Sequence, residues 1–249
     1  MADEETRAQL EIDPAFRTVE MKLTARARDE DEVRAALERA DVEPQTSELY
    51  FFDTPQLSLF ETGIVLRARI VDGGRDDSTV RVRPVDPKLV GGQWKDHPLL
   101  GFEVESVGDG YVSSARLSEE QEPGEIRGVL EGTRDPRTLF SAEQLRFLEE
   151  HAPAGAAVEW ERVRALGPVQ VHTWAYEPAG LGHELKVEEW VLPDRSDLLE
   201  LSIDVEPAAA SEANARFVEY LRTRGFDLEG EPRTKTRTAL EHLAGTTRG

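Results

Sequence analysis

The chain has 249 residues, with 30 Lys plus Arg against 50 Asp plus Glu, a net charge of −20, and 39% hydrophobic residues beside 32% charged ones. Such an acidic balance repels phosphate backbones and anionic lipid, so it excludes a general nucleic-acid or membrane-surface binder and confines any anion site to a local basic pocket. Lack of cysteine excludes disulfides and thiolate chemistry; no apolar run approaches the roughly 18 residues of a membrane span, and the acidic Met1–Glu11 start does not read as a signal peptide, so a cytoplasmic protein is expected.

Residues 1–13 are polar and acidic and read as a tail. Phe16 to Ala25 alternates, with Val19, Met21 and Leu23 against Thr18, Glu20 and Lys22, which predicts a half-buried strand. Asp29 to Ala40 carries Val33, Ala36, Leu37 and Ala40 at helical spacing behind Asp29 as an N-cap. Leu49 to Asp53 predicts a short strand, and Pro55 to Phe60 a turn with Leu57 and Leu59 inward. Gly63 to Ile70 and Thr79 to Arg83 predict two strands. Spacing of two puts Arg67 and Arg69 on one face of the first, with Leu66, Ala68 and Ile70 behind, and Arg81 and Arg83 on one face of the second.

Residues 86–100 read as an irregular loop, Gly101 to Val107 as a strand presenting Glu103 and Glu105, and 108–134 as a loop-rich acidic insertion covering one end of the fold. Ser141 to Glu150 predicts a helix opened by a capping box of Ser141 and Gln144. Ala157 to Leu166 alternates as a strand with Arg162 and Arg164 on one face. Val169 to Glu177 and His183 to Val191 follow around Gly180, the latter with Lys186 and Glu188 opposite Leu185 and Val187. In Leu198 to Glu206, Leu199, Leu201, Ile203 and Val205 oppose Glu200, Ser202, Asp204 and Glu206. Ala208 to Arg224 predicts an amphipathic helix, and Ala239 to Leu243 a last helical turn.

No repeat, heptad or linker divides the chain, so 1–249 reads as one α+β domain, an antiparallel sheet or barrel with helices packed outside. A single alternating strand needs no ligand, because antiparallel sheets commonly solvate one face. Here six or seven strands repeat Arg-x-Arg, Glu-x-Glu or Glu-x-Lys. If the sheet closes, charges of both signs line a narrow lumen, where an unpaired buried charge costs several kcal/mol, as an order of magnitude. A polyanion with divalent cations resolves that: guanidinium and ammonium groups take phosphate oxygens, and carboxylates take metal.

These residues resemble the CYTH domain, or triphosphate tunnel metalloenzyme, superfamily. The similarity runs from Glu20-Met21-Lys22 through Tyr50–Pro55, Gly63–Arg69, Arg81/Arg83, Glu103-x-Glu105, Arg162-x-Arg164, Lys186-x-Glu188 and Glu200–Asp204 to Lys235. It implies an eight-stranded antiparallel β-barrel, a tunnel that binds triphosphate compounds and hydrolyses or cyclises them with Mg²⁺ or Mn²⁺. By position it implies that Lys22, Arg67, Arg69, Arg81 or Arg83, Arg162, Arg164 and Lys235 hold the triphosphate; Lys186 joins them or pairs with the acids around it. It places Glu20, Glu103, Glu105, Glu188, Glu200 and Asp204 on the metal side, with Glu105, Asp204 and Lys22 as catalytic residues. Thr18 stands where the family's first motif glutamate is expected, arginine stands for the third-strand lysine, and Ser202 interrupts the acids of the penultimate strand.

The reading that follows is a metal-dependent triphosphatase, a monomer or homodimer acting on inorganic triphosphate, ATP or thiamine triphosphate. Inorganic triphosphate is preferred, since Trp94, Trp160, Trp174 and Trp190 read as core or rim rather than as a base pocket. Two alternatives stay open: a non-catalytic nucleotide or polyphosphate binder whose metal site has decayed at Thr18, and an adenylate cyclase. The five histidines lack ligand spacing and read as structural or surface residues.

Overall fold

A computed structural model of the chain describes residues 18–26, 37, 42–86, 90–94, 97–107, 110–194, 196–226 and 234–247. The helix expected over Asp29–Ala40 and the tail expected over 1–13 lie outside these residues, apart from Leu37, which is buried. Nine strands close into a barrel: β1 (Val19–Arg26), β2 (Gln45–Asp53), β3 (Ile64–Val71), β4 (Asp77–Val82), β5 (Leu100–Val107), β6 (Gly110–Glu120), β7 (Arg164–Tyr176), β8 (Leu185–Val191) and β9 (Asp197–Val205). Their order around the barrel is β1-β5-β6-β4-β3-β2-β7-β8-β9. The sequence reading expects eight antiparallel strands; the barrel has nine, and β1 runs parallel to β5, with Glu20 opposite Glu103 and Lys22 opposite Glu105.

Period-two alternation gives each strand one apolar outward face and one inward face. Outward residues such as Val19, Met21, Leu66, Ala68, Val80, Val82, Leu201 and Ile203 are buried in one core with the helices. Among those helices, α1 (Ser58–Glu61) and α2 (Glu125–Leu130) are short, while α3 (Ala142–His151) and α4 (Ala210–Thr223) lay amphipathic faces on the barrel. The capping box expected at Ser141 and Gln144 forms, and Gln144 also donates to the carbonyls of Ser78 and Leu117, locking α3 to β4 and β6. Asp53 accepts backbone N–H groups of Leu59 and Phe60, each at 2.9 Å, so the Tyr50–Pro55 block pins α1 and turns Leu57 and Leu59 inward as expected. No helix among the described residues is long and apolar enough to cross a membrane.

The inward face divides into two halves. Strands β1, β3 to β6, β8 and β9 present charged and hydroxyl side chains. By register Leu49 and Phe51 of β2 share a face with Arg69 and Arg67, yet they join Val65, Leu166, Val169, Val171 and Trp190 in a second apolar cluster. The C-terminal helix α5 (Lys235–Thr247) fills it with Ala239, Leu240, Leu243 and Ala244. The sequence reading expects only a turn there, because the helix buries its apolar stripe inside the barrel rather than against a neighbour in sequence.

Two further stretches differ. Within 108–134, expected to be loop, residues 110–120 form barrel strand β6 and 125–130 form α2. Among its described side chains the buried apolar residues of the outward face are Ala115 and Leu117, too few large apolar residues to announce a strand. The strand expected over 157–166 is instead a 3₁₀ turn at Trp160–Arg162, closed by Arg162 N–H to the Glu159 carbonyl at 2.9 Å, and β7 begins only at Arg164.

Candidate functional site in the barrel lumen

Glu103 stands at the centre of the charged half. Its carboxylate meets Arg81 at 2.9 Å, Arg116 at 2.9 Å and Lys22 at 3.3 Å, and accepts the Ser114 hydroxyl at 3.2 Å. Burial opposes that charge, but Arg81, Lys22 and Arg116 hold the carboxyl well below the usual range. Glu188 accepts Lys235 Nζ at 2.8 Å and lies 3.4 Å from Lys186; burial again opposes its charge, and Lys235 and Lys186 outweigh it. Lys235 also reaches Glu200 at 3.1 Å, and Lys22 lies 3.4 Å from the same carboxylate. Burial disfavours the Lys22 ammonium, yet Glu103, Glu20 and Glu200 together raise its pKa above that of an ordinary lysine. Glu20 accepts the Ser202 hydroxyl at 2.9 Å, which gives the serine interrupting the β9 acids a role.

One arginine of β3 is left over. Arg69 forms a paired contact with Asp77 at 2.8 and 2.7 Å. Arg67, two residues away on the same face, has no anionic partner among the described residues, and its Nε is buried without a hydrogen bond. Burial, then Arg81 and Arg69, push its pKa down to about 10, which leaves it charged at neutral pH. An unmatched buried cation is expensive unless an anion arrives. Arg67 borders a cavity of ≈ 180 Å³ at one mouth of the barrel, where Lys22, Arg69, Arg116 and Lys186 also converge. That volume is below the roughly 300–1,000 Å³ of drug-sized pockets and suits a compact anion.

Among the described residues no three Asp, Glu, His or Cys side chains gather as a metal cluster. Glu103, Glu188 and Glu200, expected as metal ligands, are turned toward lysine and arginine. Glu20 is engaged more loosely, 3.5 Å from Lys22, 3.8 Å from Arg116 and 3.9 Å from Lys186, and Asp204 is exposed at its side. Glu20 and Asp204 lie directly opposite each other on β1 and β9; burial, then the Glu20 charge, raise the Asp204 pKa. Two hard carboxylates that repel each other fit a magnesium-type cation, which characteristically takes one or two protein carboxylates and fills its remaining positions with phosphate oxygens and water. Thr18 is exposed just before β1.

Of the other expected site residues, Arg81 lies at the centre of the lumen on Glu103, and Glu105 lies deeper than the cavity, buried and unpaired at Oε1. Arg83 is carried to the opposite mouth. Arg162 and Arg164 are not brought in. Arg162 is 59% exposed against Glu159, and Arg164 donates to the carbonyls of Glu161 and Val163 at the exposed start of β7. The turn at 160–162 interrupts the alternation that would have aimed them inward.

Arg116 is the residue sequence reasoning missed. It reaches over β5 above Gly101, where an added Cβ would stand 3.0 Å from its Cζ. The pattern Ser114-x-Arg116-x-Ser118 opposite Ala115 and Leu117 was the available signal.

No family model and no curated protein matches the chain. Solved structures do match. The Hippeastrum candidate adenylyl cyclase HpAC1, described as having a dominant triphosphatase activity, superposes with a TM-score of 0.62 at 18% identity, covering 90% of this chain and 98% of its own. A candidate adenylate cyclase from Bacillus halodurans gives 0.60 at 13% identity over 88% and 96%. The chain has the CYTH, or triphosphate tunnel, fold. At these identities the likeness is one of fold, and the tunnel's chemistry has to be argued from its own side chains.

Proposed function

We propose that the protein is a metal-dependent hydrolase of triphosphate compounds, with inorganic triphosphate as its preferred substrate. The observation that carries this reading is Arg67, a cation inside the tunnel that no carboxylate matches, facing a small cavity shared with Arg69, Arg116 and Lys186. These four residues would take the phosphate oxygens and hold the chain of phosphates in one orientation. Glu20 and Asp204 would hold Mg²⁺ or Mn²⁺, which supplies neutralisation of the charge on the reacting phosphate and its leaving group. Asp204, whose proton affinity is raised by burial and by Glu20, would orient a water and take its proton. The water oxygen bonds to the terminal phosphorus as the bridging P–O bond breaks, giving phosphate and diphosphate. The triphosphatase activity described for the Hippeastrum protein of the same fold supports this class of reaction.

A second reading, a non-catalytic binder of nucleotides or polyphosphate, is favoured by Thr18 and by the capture of Glu103, Glu188 and Glu200 in internal ion pairs. Phosphate release from inorganic triphosphate, ATP and thiamine triphosphate, with Mg²⁺, Mn²⁺ or EDTA, separates the two. Metal-dependent release from triphosphate is expected, with kcat/KM lowered by about 10²–10³ in Arg67→Gln, comparable to losing one preorganised donor to a developing charge. No turnover, with triphosphate still raising Tm, would select the binder. Cyclic product from ATP would select the cyclase.

A further inference from the structure

The barrel has a second mouth, and it too holds an unmatched cation. Arg83 follows β4, six residues beyond Asp77 at the first mouth, about 20 Å along the strand at the usual rise. It is 9% exposed, and its Nη1 donates to the Thr234 hydroxyl at 3.2 Å, with no carboxylate in ion-pair range among the described residues. Its guanidinium lies over the Phe60 ring at 4.3 Å, and that of Arg237 lies over the same ring at 4.7 Å. Arg237 is matched by Glu61 and Glu241, each at 3.2 Å, so among the described residues at this mouth Arg83 is the cation left over. Burial, then Arg81, push the Arg83 pKa down to about 10, and Arg237 adds to the repulsion. Both arginines border a cavity of ≈ 610 Å³, more than three times the size of the first, with Pro84, Val112, Pro153 and Ala156 on its wall. Between the mouths lie the Arg81–Glu103 pair, buried Glu105 and the start of α5 with Lys235.

We propose that this far mouth is a second ligand site, which takes a small organic phosphate monoester. The phosphate lies on Arg83 and Arg237, and the organic body lies on the wall of prolines, valine and alanine. A mostly apolar cavity with a few convergent polar groups is the usual form of a small-molecule site. Two guanidinium groups held by one aromatic ring give a fork for a dianionic phosphate. Glu61 on the rim disfavours a ligand with further negative charge, so a monoester suits the site better than a triphosphate. The site is separate from the one proposed to hydrolyse triphosphate and does not depend on that activity.

Calorimetric titration of the full chain in EDTA with AMP and with phenyl phosphate tests it. At least one probe is expected to saturate a single site. Its affinity should fall at least tenfold in Arg83→Gln and in Arg237→Ala, and be unchanged in Arg67→Gln. Ala154→Trp, which adds bulk at an exposed position of the same cavity wall and leaves both arginines in the sequence, should abolish probe binding while triphosphate still binds; it serves if Arg83→Gln does not fold. The proposal is overturned if neither probe binds at millimolar concentration. It is also overturned if Arg67→Gln weakens the probe as Arg83→Gln does, or if Ala154→Trp leaves probe binding intact.

Discussion

At the scale of single residues, the tunnel separates acids whose pKa is lowered from acids whose pKa is raised, Glu105 among the latter. Glu105 is buried, has an Oε1 with no hydrogen-bond partner, and faces Glu200; burial, then the Glu200 charge, raise its pKa to about 7. A carboxyl whose folded pKa exceeds its unfolded value stabilises the fold most at low pH, and that advantage is lost as pH rises from the unfolded value of 4.5 toward 7. Above pH 7 the ionised carboxylate costs about 3 kcal/mol. Glu105→Gln is therefore expected to raise stability against urea at pH 8 and to leave it nearly unchanged at pH 4, and an equal effect at both would remove the burial argument. The pair of Lys235 with Glu188 shows the opposite sign, through the carboxylate. The Lys235 ammonium is buried over the Trp190 ring, 2.8 Å from Glu188 and 3.1 Å from Glu200. Because the Glu188 pKa is lowered in the fold, the pair stabilises above pH 4.5, and that contribution disappears as pH falls through the lowered value. Lys235→Met should cost about 3 kcal/mol near neutral pH, because it removes the nearer cation from two buried carboxylates and leaves them Lys186 and Lys22 at 3.4 Å. The penalty measured by denaturation should shrink in acid.

At the scale of elements, strand β6 decides how the cationic half is built. It brings Arg116 between Glu20 and Glu103, and Gly101 on the adjacent strand leaves the room its side chain needs. Gly101→Val places carbon where the guanidinium now lies, so Arg116 must leave Glu103. Triphosphate affinity is expected to fall about tenfold, the worth of one charge-assisted contact, with Tm shifted by only a few degrees. An unchanged affinity would mean that Arg116 serves the fold and not the ligand. The capping box of α3, the arginine face of β3 and the acid face of β9 were all legible, because each depends on residues within one or two turns of the chain. Strand β6 was not, since small outward residues satisfied by α3 and its Gln144 carry little strand signal by themselves.

At the scale of the whole molecule, barrel closure turns a repeated local pattern into a site. The sequence by itself determined which side of β1, β3, β4, β5, β8 and β9 is charged, since side chains alternate with a period of two whatever the neighbours are. It implied also that in so acidic a chain an anion site must be a local basic pocket, and it carried the motifs that resemble the triphosphate tunnel. Only the tertiary structure decided which charges cancel. Lys235 meets Glu188 across 47 residues of sequence and Ser202 meets Glu20 across 182, so no local pattern could announce that Glu188 is spoken for while Arg67 is not. It decided as well that α5 fills half the lumen with apolar side chains, that Arg162 and Arg164 fall outside it, and that Arg67 and Arg83, read as parts of one cationic face, stand at opposite mouths. The physical reason is one of range: periodicity is a property of neighbouring residues, whereas neutralisation and enclosure are set by strands that the closed sheet brings together from distant parts of the chain.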